Sequence, residues 1–392
     1  MKMIRDIGWM LIMLLLIACS GDGDSSETKQ PTVINVYVFA PDKPIITRGD
    51  IGEVDPIDNS INESKITSLQ IWVFEHNTDN LISYHSPESV TNLNSGTGAT
   101  YQLSASNAFT DAETKPQVDV YVVANVTAAN TGISLGEGTT RTALEAALIE
   151  DNYFGLNTLT NQVPDAGLPM SGVLRGVSVT GSAPVYKISN VTLTRTVSKI
   201  RFVFSREKVG DTETDVPVKI NSIKLDASMI PTQEYLFLET GENASAFRVG
   251  SYGTDDAKEF LPIVENQVQP LPDIAQNADP MAYSYQAGQD AQEYEDLIET
   301  GLNKTPAPEL TQVGPFYLRE SEKKLTGSIT FQRGEDGTTA KPVTFKMHTA
   351  GDFSRNHTWI VYAYYSASGL VAVTVVVKDW NDVQQPYEVV NW

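Results

Sequence analysis

Residues 32–40 read TVINVYVFA, and this stretch sets the fold class. β-Branched and aromatic residues fill it, which suits a pleated strand better than a helix. Side chains alternate across a strand, so Ile34, Val36, Val38 and Ala40 share one face. Val33, Tyr37 and Phe39 share the other, with Asn35 as its one polar member. Both faces are mainly apolar, so the segment reads as a strand inside a core, not at a wet edge.

Similar runs recur outward from it: 66–75 (ITSLQIWVFE), 118–126 (VDVYVVANV), 185–205, 218–225, 235–239, 327–333, 343–348, 359–366 and 370–377. Turn residues separate them. One stretch has a helical pattern, 139–151 (TTRTALEAALIED), with Thr139 at its N-cap. A second, acidic candidate helix spans 290–300, and its Glu293, Glu295, Asp296 and Glu299 read as a solvated face. Many short strands with few helices predict an all-β protein built from β-sandwiches. No fixed-period repeat is visible, which argues against solenoids and propellers. With 392 residues and 41% hydrophobic content, the chain is long enough for two cores. The polar stretch 178–184 (SVTGSAP) is the expected boundary, giving sandwiches over 49–182 and 183–380.

The N-terminus carries Lys2 and Arg5, then an apolar run from Ile7 to Ala18, then the chain's single cysteine, Cys19. A cationic start and an apolar run this short make a signal peptide and not a membrane span. The sequence Leu16-Ile17-Ala18-Cys19 is what lipoprotein processing requires: small residues that fit the peptidase, then a thiol to carry the lipid. Residues 1–18 are therefore expected to be removed and Cys19 acylated. The Gly/Asp/Ser-rich stretch 20–30 reads as a tether.

Charge and composition exclude several functions. Asp and Glu number 49 against 28 Lys and Arg, a net charge of −21, the wrong sign for nucleic-acid binding. One cysteine rules out intrachain disulfides, and with only four scattered histidines (His76, His85, His348, His357) a zinc site is not expected. Ser205 and Lys208 match S-x-x-K without the partner motifs of that nucleophile family. Asp22 and Asp24 are two solvated carboxylates on a tether. No catalytic constellation, metal site or cofactor motif is assembled.

Seven phrases, in order along the chain, resemble the type V pilins, the fimbrillins of Bacteroidales. They are the lipobox at Cys19; the apolar strand and arginine loop of 32–49; Tyr121-Val122-Val123-Ala124-Asn125; and Leu168-Pro169-Met170-Ser171-Gly172, similar to a "PMSG" turn. Then come 193–200 (LTRTVSKI), with Ser198 where the pattern has Ala; Arg355-Asn356-His357-Thr358, followed by Trp359 where the pattern has Tyr; and 373–381 (VTVVVKDWN).

The resemblance implies two tandem transthyretin-like β-sandwiches in a polymerising pilin. It implies a precursor exported as a lipoprotein to the outer membrane, and an arginine-specific surface protease that cuts between Arg48 and Gly49. Residues 19–48 would be lost, taking the strand of Ile34, Val36, Val38 and Ala40. A neighbour's C-terminal strand would then fill the vacated groove. Partners would be other pilin subunits, including tip and anchor subunits of the fimbria, with host or bacterial surface ligands also open.

The residues agree with this independently. Arg48 is the only arginine between Cys19 and Arg141, in a loop with Pro41, Pro44 and Gly49. Exposed loops of this kind are where proteases cut. The expected donor is the tail 381–392, with Tyr387, Val389, Val390 and Trp392 as its plugging residues; Pro386 must sit where no ladder bond is needed. A shaft subunit fits a chain with such a tail. A tip or accessory adhesin, and a glycan-binding surface lipoprotein, are the alternative readings.

Overall fold

β-Rich segments dominate the computed structural model. It describes residues 32–39, 63, 65–90, 93, 98–105, 117–149, 163–182, 184–207, 218–239, 247–253, 258–261, 276–277, 311–323, 325–333, 338–339, 343–346, 353–365, 371–379 and 389–390. In the first half the strands are β1 (Val33–Phe39), β2 (Leu69–Glu75), β3 (Leu81–His85), β4 (Ala99–Ser104), β5 (Gln117–Ala124), β6 (Leu148–Ile149), β7 (Met170–Ser178), β8 (Thr180–Ser182), β9 (Val185–Thr192) and β10 (Thr194–Arg195). The second half has β11 (Val197–Glu207), β12 (Val218–Leu225), β13 (Glu234–Tyr235), β14 (Lys258–Leu261), β15 (Gln276–Asn277) and β16 (Thr311–Arg319). It continues with β17 (Thr326–Arg333), β18 (Thr338–Thr339), β19 (Val343–Lys346), β20 (His357–Tyr365), β21 (Val371–Asp379) and β22 (Val389–Val390). Two short α-helices, α1 (Ala128–Thr131) and α2 (Arg141–Glu145), and a 3-10 turn at Ala227–Met229 complete the described elements.

Two sheets make the first sandwich, in the orders β4-β1-β9-β8 and β10-β7-β5-β2-β3. Ile34, Val36, Ile71, Val73, Val120 and Val122 are among the side chains between them. The second sandwich stacks β15-β11-β20-β21-β22 on β14-β12-β17-β18, with β16 joined to β11 and β19 to β17. Phe202, Phe204, Ile220, Ile329 and Trp359 fill that core. The fold is all-β, two tandem sandwiches with few short helices, and the described residues from Thr32 onward belong to one compact unit.

The stretch 178–184, expected to be a linker, contains the β8–β9 hairpin, with Gly181 at φ +88°. A short Gly/Ser run suits a tight turn as well as a boundary. β9 pairs in parallel with β1, and Tyr186, Ile188, Val191 and Leu193 belong to the first core, so that sandwich extends past residue 182. The chain passes to the second sandwich between Leu193 and Val197, where Thr196 N–H donates to Pro169 O at 3.0 Å. The single run expected over 185–205 is therefore three strands.

Other local expectations shift for identifiable reasons. The helix of 139–151 shrinks to α2, capped by Thr140, whose hydroxyl accepts from Ala143 N–H. Leu148 and Ile149 leave it to pair with β13, since in a short helix tertiary partners outweigh local helical preference. Leu168–Gly172, expected as a turn, leads into β7. The short α1 escaped sequence reading, although Thr127 and Asn130 form a capping box and Gly132 ends it at φ +73°. The acidic stretch 290–300 lies outside the described residues.

Gly172 shows how tightly the crossing is built. A Cβ there would sit 2.4 Å from Thr192 O, a backbone atom that cannot swing aside. Gly172→Ala should therefore destabilise the protein by about 1–3 kcal/mol. Urea unfolding of the soluble precursor checks this, and the midpoint should fall with the slope unchanged.

Candidate functional site

β1, the strand expected to be displaced, fills a slot in its sheet. β1 lies inside its sheet, antiparallel to β4 on one side and parallel to β9 on the other. Val33 N–H donates to Pro184 O and Phe39 O accepts from Leu193 N–H, both at 2.9 Å, on the β9 side. Thr32 O accepts from Ala105 N–H at 2.9 Å on the β4 side. Ile34, Val36 and Val38 are fully buried, as the alternation of the sequence requires. Each is worth about 1.5–3 kcal/mol in apolar burial. The opposite face, with Val33, Asn35, Tyr37 and Phe39, is half-buried. Among the described residues β4 has no strand partner except β1, so the slot has a wall on each side and a core as its floor.

The other expected site residues are mostly elsewhere. Cys19, Ala40, Arg48, Gly49, Tyr387 and Trp392 lie outside the described residues. Val389 and Val390 form β22, whose backbone pairs with Val376 and Val375 of β21.

Four of the phrases that the sequence singles out, at 121–125, 168–172, 193–200 and 355–358, supply bonds at or near the seam between the sandwiches. Asn125 adopts φ +59°; its side-chain oxygen accepts from Thr67 N–H at 2.8 Å and its amide donates to Lys65 O and Leu168 O. Ser171 donates to Leu236 O at 2.6 Å. Arg195 is completely buried, donating to Glu63 O at 3.2 Å and Asn356 Oδ1 at 3.1 Å. Lys199 pairs with Glu63 at 2.8 Å, and Tyr317 donates to the same carboxylate at 2.7 Å. Asn356 N–H donates to Val197 O. Arg195 and Lys199 are thus holders of the junction. Breaking such a pair costs about 3–5 kcal/mol, because the remaining charge stays buried.

Sequence reading missed Glu63, Glu234 and Glu320. Arg355 pairs with Glu320 at 2.5 Å and donates to the backbone oxygens of Leu236 and Tyr235. Glu234 lies beside them, accepting from Glu320 N–H at 3.3 Å. No short-range pattern marks these acids; only the tertiary approach of residues up to 254 positions apart shows them.

The histidines are tied into structure. His76 Nδ1 lies 2.7 Å from Asp119. Burial opposes the Asp119 charge, but bonds from His76, Gly176 N–H and Asn77 N–H hold its carboxyl below its usual range. His357 Nδ1 is 2.7 Å from Ser354 Oγ. His348 lies outside the described residues. Among the described residues, no group of three His, Cys, Asp or Glu could hold a metal ion, and no helix is long and apolar enough to cross a membrane.

Residues 52–225 match the family model of the major fimbrial subunit protein (FimA). A candidate cell adhesion protein from Parabacteroides distasonis ATCC 8503 shares the fold, with a TM-score of 0.50 at 14% identity over 91% of this chain and 98% of that one. A fimbrial assembly protein from the same strain aligns at 13% identity over 93% and 100%, with a TM-score of 0.45. The C-terminally truncated tip fimbrial protein Mfa3 from Porphyromonas gingivalis aligns at 14% identity over 90% and 100%, with a TM-score of 0.43. Comparison with curated protein sequences finds no match.

Burial, reinforced by Glu320 and opposed by Arg355 and Arg319, pushes the Glu234 carboxyl up to about 8. Its folded value exceeds its unfolded one, so the stability it supports is complete below about pH 4.5 and is lost as pH rises to about 8. Glu234→Gln should flatten the pH dependence of the melting temperature between pH 5 and 8. Its gain over wild type should be greatest at pH 8, as calorimetry at both pH values would show.

Proposed function

We propose, for a chain that belongs through residues 52–225 to the major fimbrial subunit (FimA) family, that it is a shaft pilin which matures by losing β1 and polymerises by strand exchange. As a member of that family it is a structural subunit of a surface fimbria and not an enzyme, and its partners include other pilin subunits. The proposal adds acylation at Cys19, transit through the outer membrane as a lipoprotein, and cleavage between Arg48 and Gly49 by an arginine-specific protease.

One observation carries this reading: β1 is buried on its core face and laddered on both edges, yet it is supplied by the segment just before the arginine loop. A cut after Arg48 would detach a strand that the sandwich cannot lose without a replacement. The remaining slot would expose apolar side chains and two unpaired backbone edges, which invites augmentation by another strand. The same cut would free the body from the lipid at Cys19. The matched family span begins after this loop. We also propose the division between the sandwiches at 193–197.

Two variants test the reading. Arg48→Ala should give a soluble precursor with wild-type stability that no longer polymerises when treated with an arginine-specific protease. Electron microscopy and a thermal melt would check both halves. Deleting Val383–Trp392 should leave a cleavable, folded subunit that accepts a neighbour's strand but donates none. Mixed at low molar ratio with wild type, it should shorten the fibres. Normal fibres from either variant would overturn the proposal.

A further inference from the structure

We infer that the strand filling the β1 slot in the fibre is residues 382–389 of a second copy, set with Gln385 opposite Tyr101 and Pro386 where β9 bulges. This rests on the strand-exchange reading above and fixes its register.

Two features of the slot are poorly matched by β1 itself. The first is Tyr101. It faces the core from β4 with 9% exposure, and its hydroxyl has no hydrogen-bond partner among the described residues. The residue directly opposite is Val36, which offers no polar group. A neighbouring ring, that of His85, stands 6.1 Å away between centroids. An unpaired buried hydroxyl opposes folding. A longer amide side chain in the place of Val36 would reach it, since opposed side chains on one face of a ladder are in contact.

The second feature is a slip in the parallel ladder. The odd-numbered residues of β1 direct their backbone groups toward β9, as Val33 N–H and Phe39 O show. Between Val36 and Val38 the register slips: the partners run from Ile188 to Val191, with Ser189 and Asn190 bulged outward and exposed. Tyr37 therefore directs its N–H at the one interrupted place in the ladder. A residue lacking an N–H is tolerated at such a bulge and not in an intact ladder.

The C-terminal tail has two matching oddities, an amide and a proline side by side at Gln385 and Pro386. Running the tail in the direction of β1 and placing Gln385 opposite Tyr101 puts Pro386 at the slip with no further adjustment. Val383 and Tyr387 then take the inward places of Ile34 and Val38, and Gln384 takes the outward place of Asn35. Moving the tail by two residues one way sets Pro386 at Asn35, where the ladder with Lys187 is regular. Moving it the other way sets Gln385 at Val38, away from the free hydroxyl. Within its own subunit, the described residues of the tail, Val389 and Val390, pair with Val376 and Val375 of β21.

Cysteine cross-linking tests the register, because Cys19 is the chain's only cysteine and leaves with the cleaved segment. Asn35 lies opposite Gln102, and its backbone groups point away from β4. That is the close, non-hydrogen-bonded kind of pair, with Cα atoms about 4.5 Å apart and within reach of a disulfide. Fibres of Gln102→Cys with Gln384→Cys should give a ladder of covalent multimers on a non-reducing gel. Gln102→Cys with Asp382→Cys or with Pro386→Cys should give several-fold less. A stronger ladder from either slipped pair overturns the register and leaves strand exchange standing. Fibres that form without a ladder from any pair overturn both.

Tyr101→Phe separates the hydroxyl's role from general packing. It should leave the precursor as stable as wild type or more so, yet shorten the fibre's lifetime in detergent several-fold. Gln385→Val should weaken wild-type fibres and have no further effect in the Tyr101→Phe background. Equal effects on precursor and fibre, or additive effects of the two changes, would overturn the pairing of Gln385 with Tyr101.

Discussion

A strand with neighbours on both edges and a core beneath it cannot leave without being replaced, and the rest of the structure is arranged around that constraint. β1 closes a sheet that would otherwise consist of β4 on one side and the β9–β8 hairpin on the other. Its inward side chains interlock with both sheets of the first sandwich. Hydrogen-bond geometry makes the demand specific: one wall accepts an antiparallel strand and the other a parallel one, so an incoming segment must run as β1 does. The apolar floor sets a period of two, and the bulge in β9 marks one position along it. A slot of this kind selects a replacement by direction, phase and register together.

The seam between the sandwiches meets a different requirement. Residues 193–197 leave one core and enter the next, so their backbone and side chains are enclosed from several directions. Apolar residues alone would slide there. Arg195, Lys199 and Arg355 instead fix the approach through directional bonds to Glu63, Asn356, Glu320 and carbonyl oxygens. Directional bonds between buried groups fix such an approach more closely than an apolar contact does. The cost is visible at Glu234, whose burial favours its neutral form. Phe237 and Leu236 add an apolar clasp, reaching from the second half onto Trp72, Phe74 and Tyr121 of the first.

How much of this could be read from the chain depended on range. The strand of 33–39 and the phase that buries Ile34, Val36 and Val38 follow from alternation alone, because a strand's two faces are set by local geometry. The runs at 118–126 and 218–225 followed for the same reason. The helix at 139–151 was overextended because a helical pattern carries no notice that Leu148 and Ile149 have a better partner nearly ninety residues away in β13. At 178–184 glycine and serine serve tight turns and boundaries equally, so the residues alone do not separate a hairpin from a linker.

The sequence by itself determined the all-β class, the apolar strand before a lone arginine, the acidic surface and the single cysteine, since each is a property of neighbours along the chain. Tertiary structure alone decided which sheet β1 enters, that its two edges are laddered in opposite senses, and that the Tyr101 hydroxyl has no hydrogen-bond partner among the described residues. It also decided that Arg195 and Lys199 hold a junction at position 63, the arginine through the backbone oxygen and the lysine through the carboxylate. Strand pairing and buried ion pairs join residues far apart in the chain, and their energies depend on burial that exists only once the chain has folded.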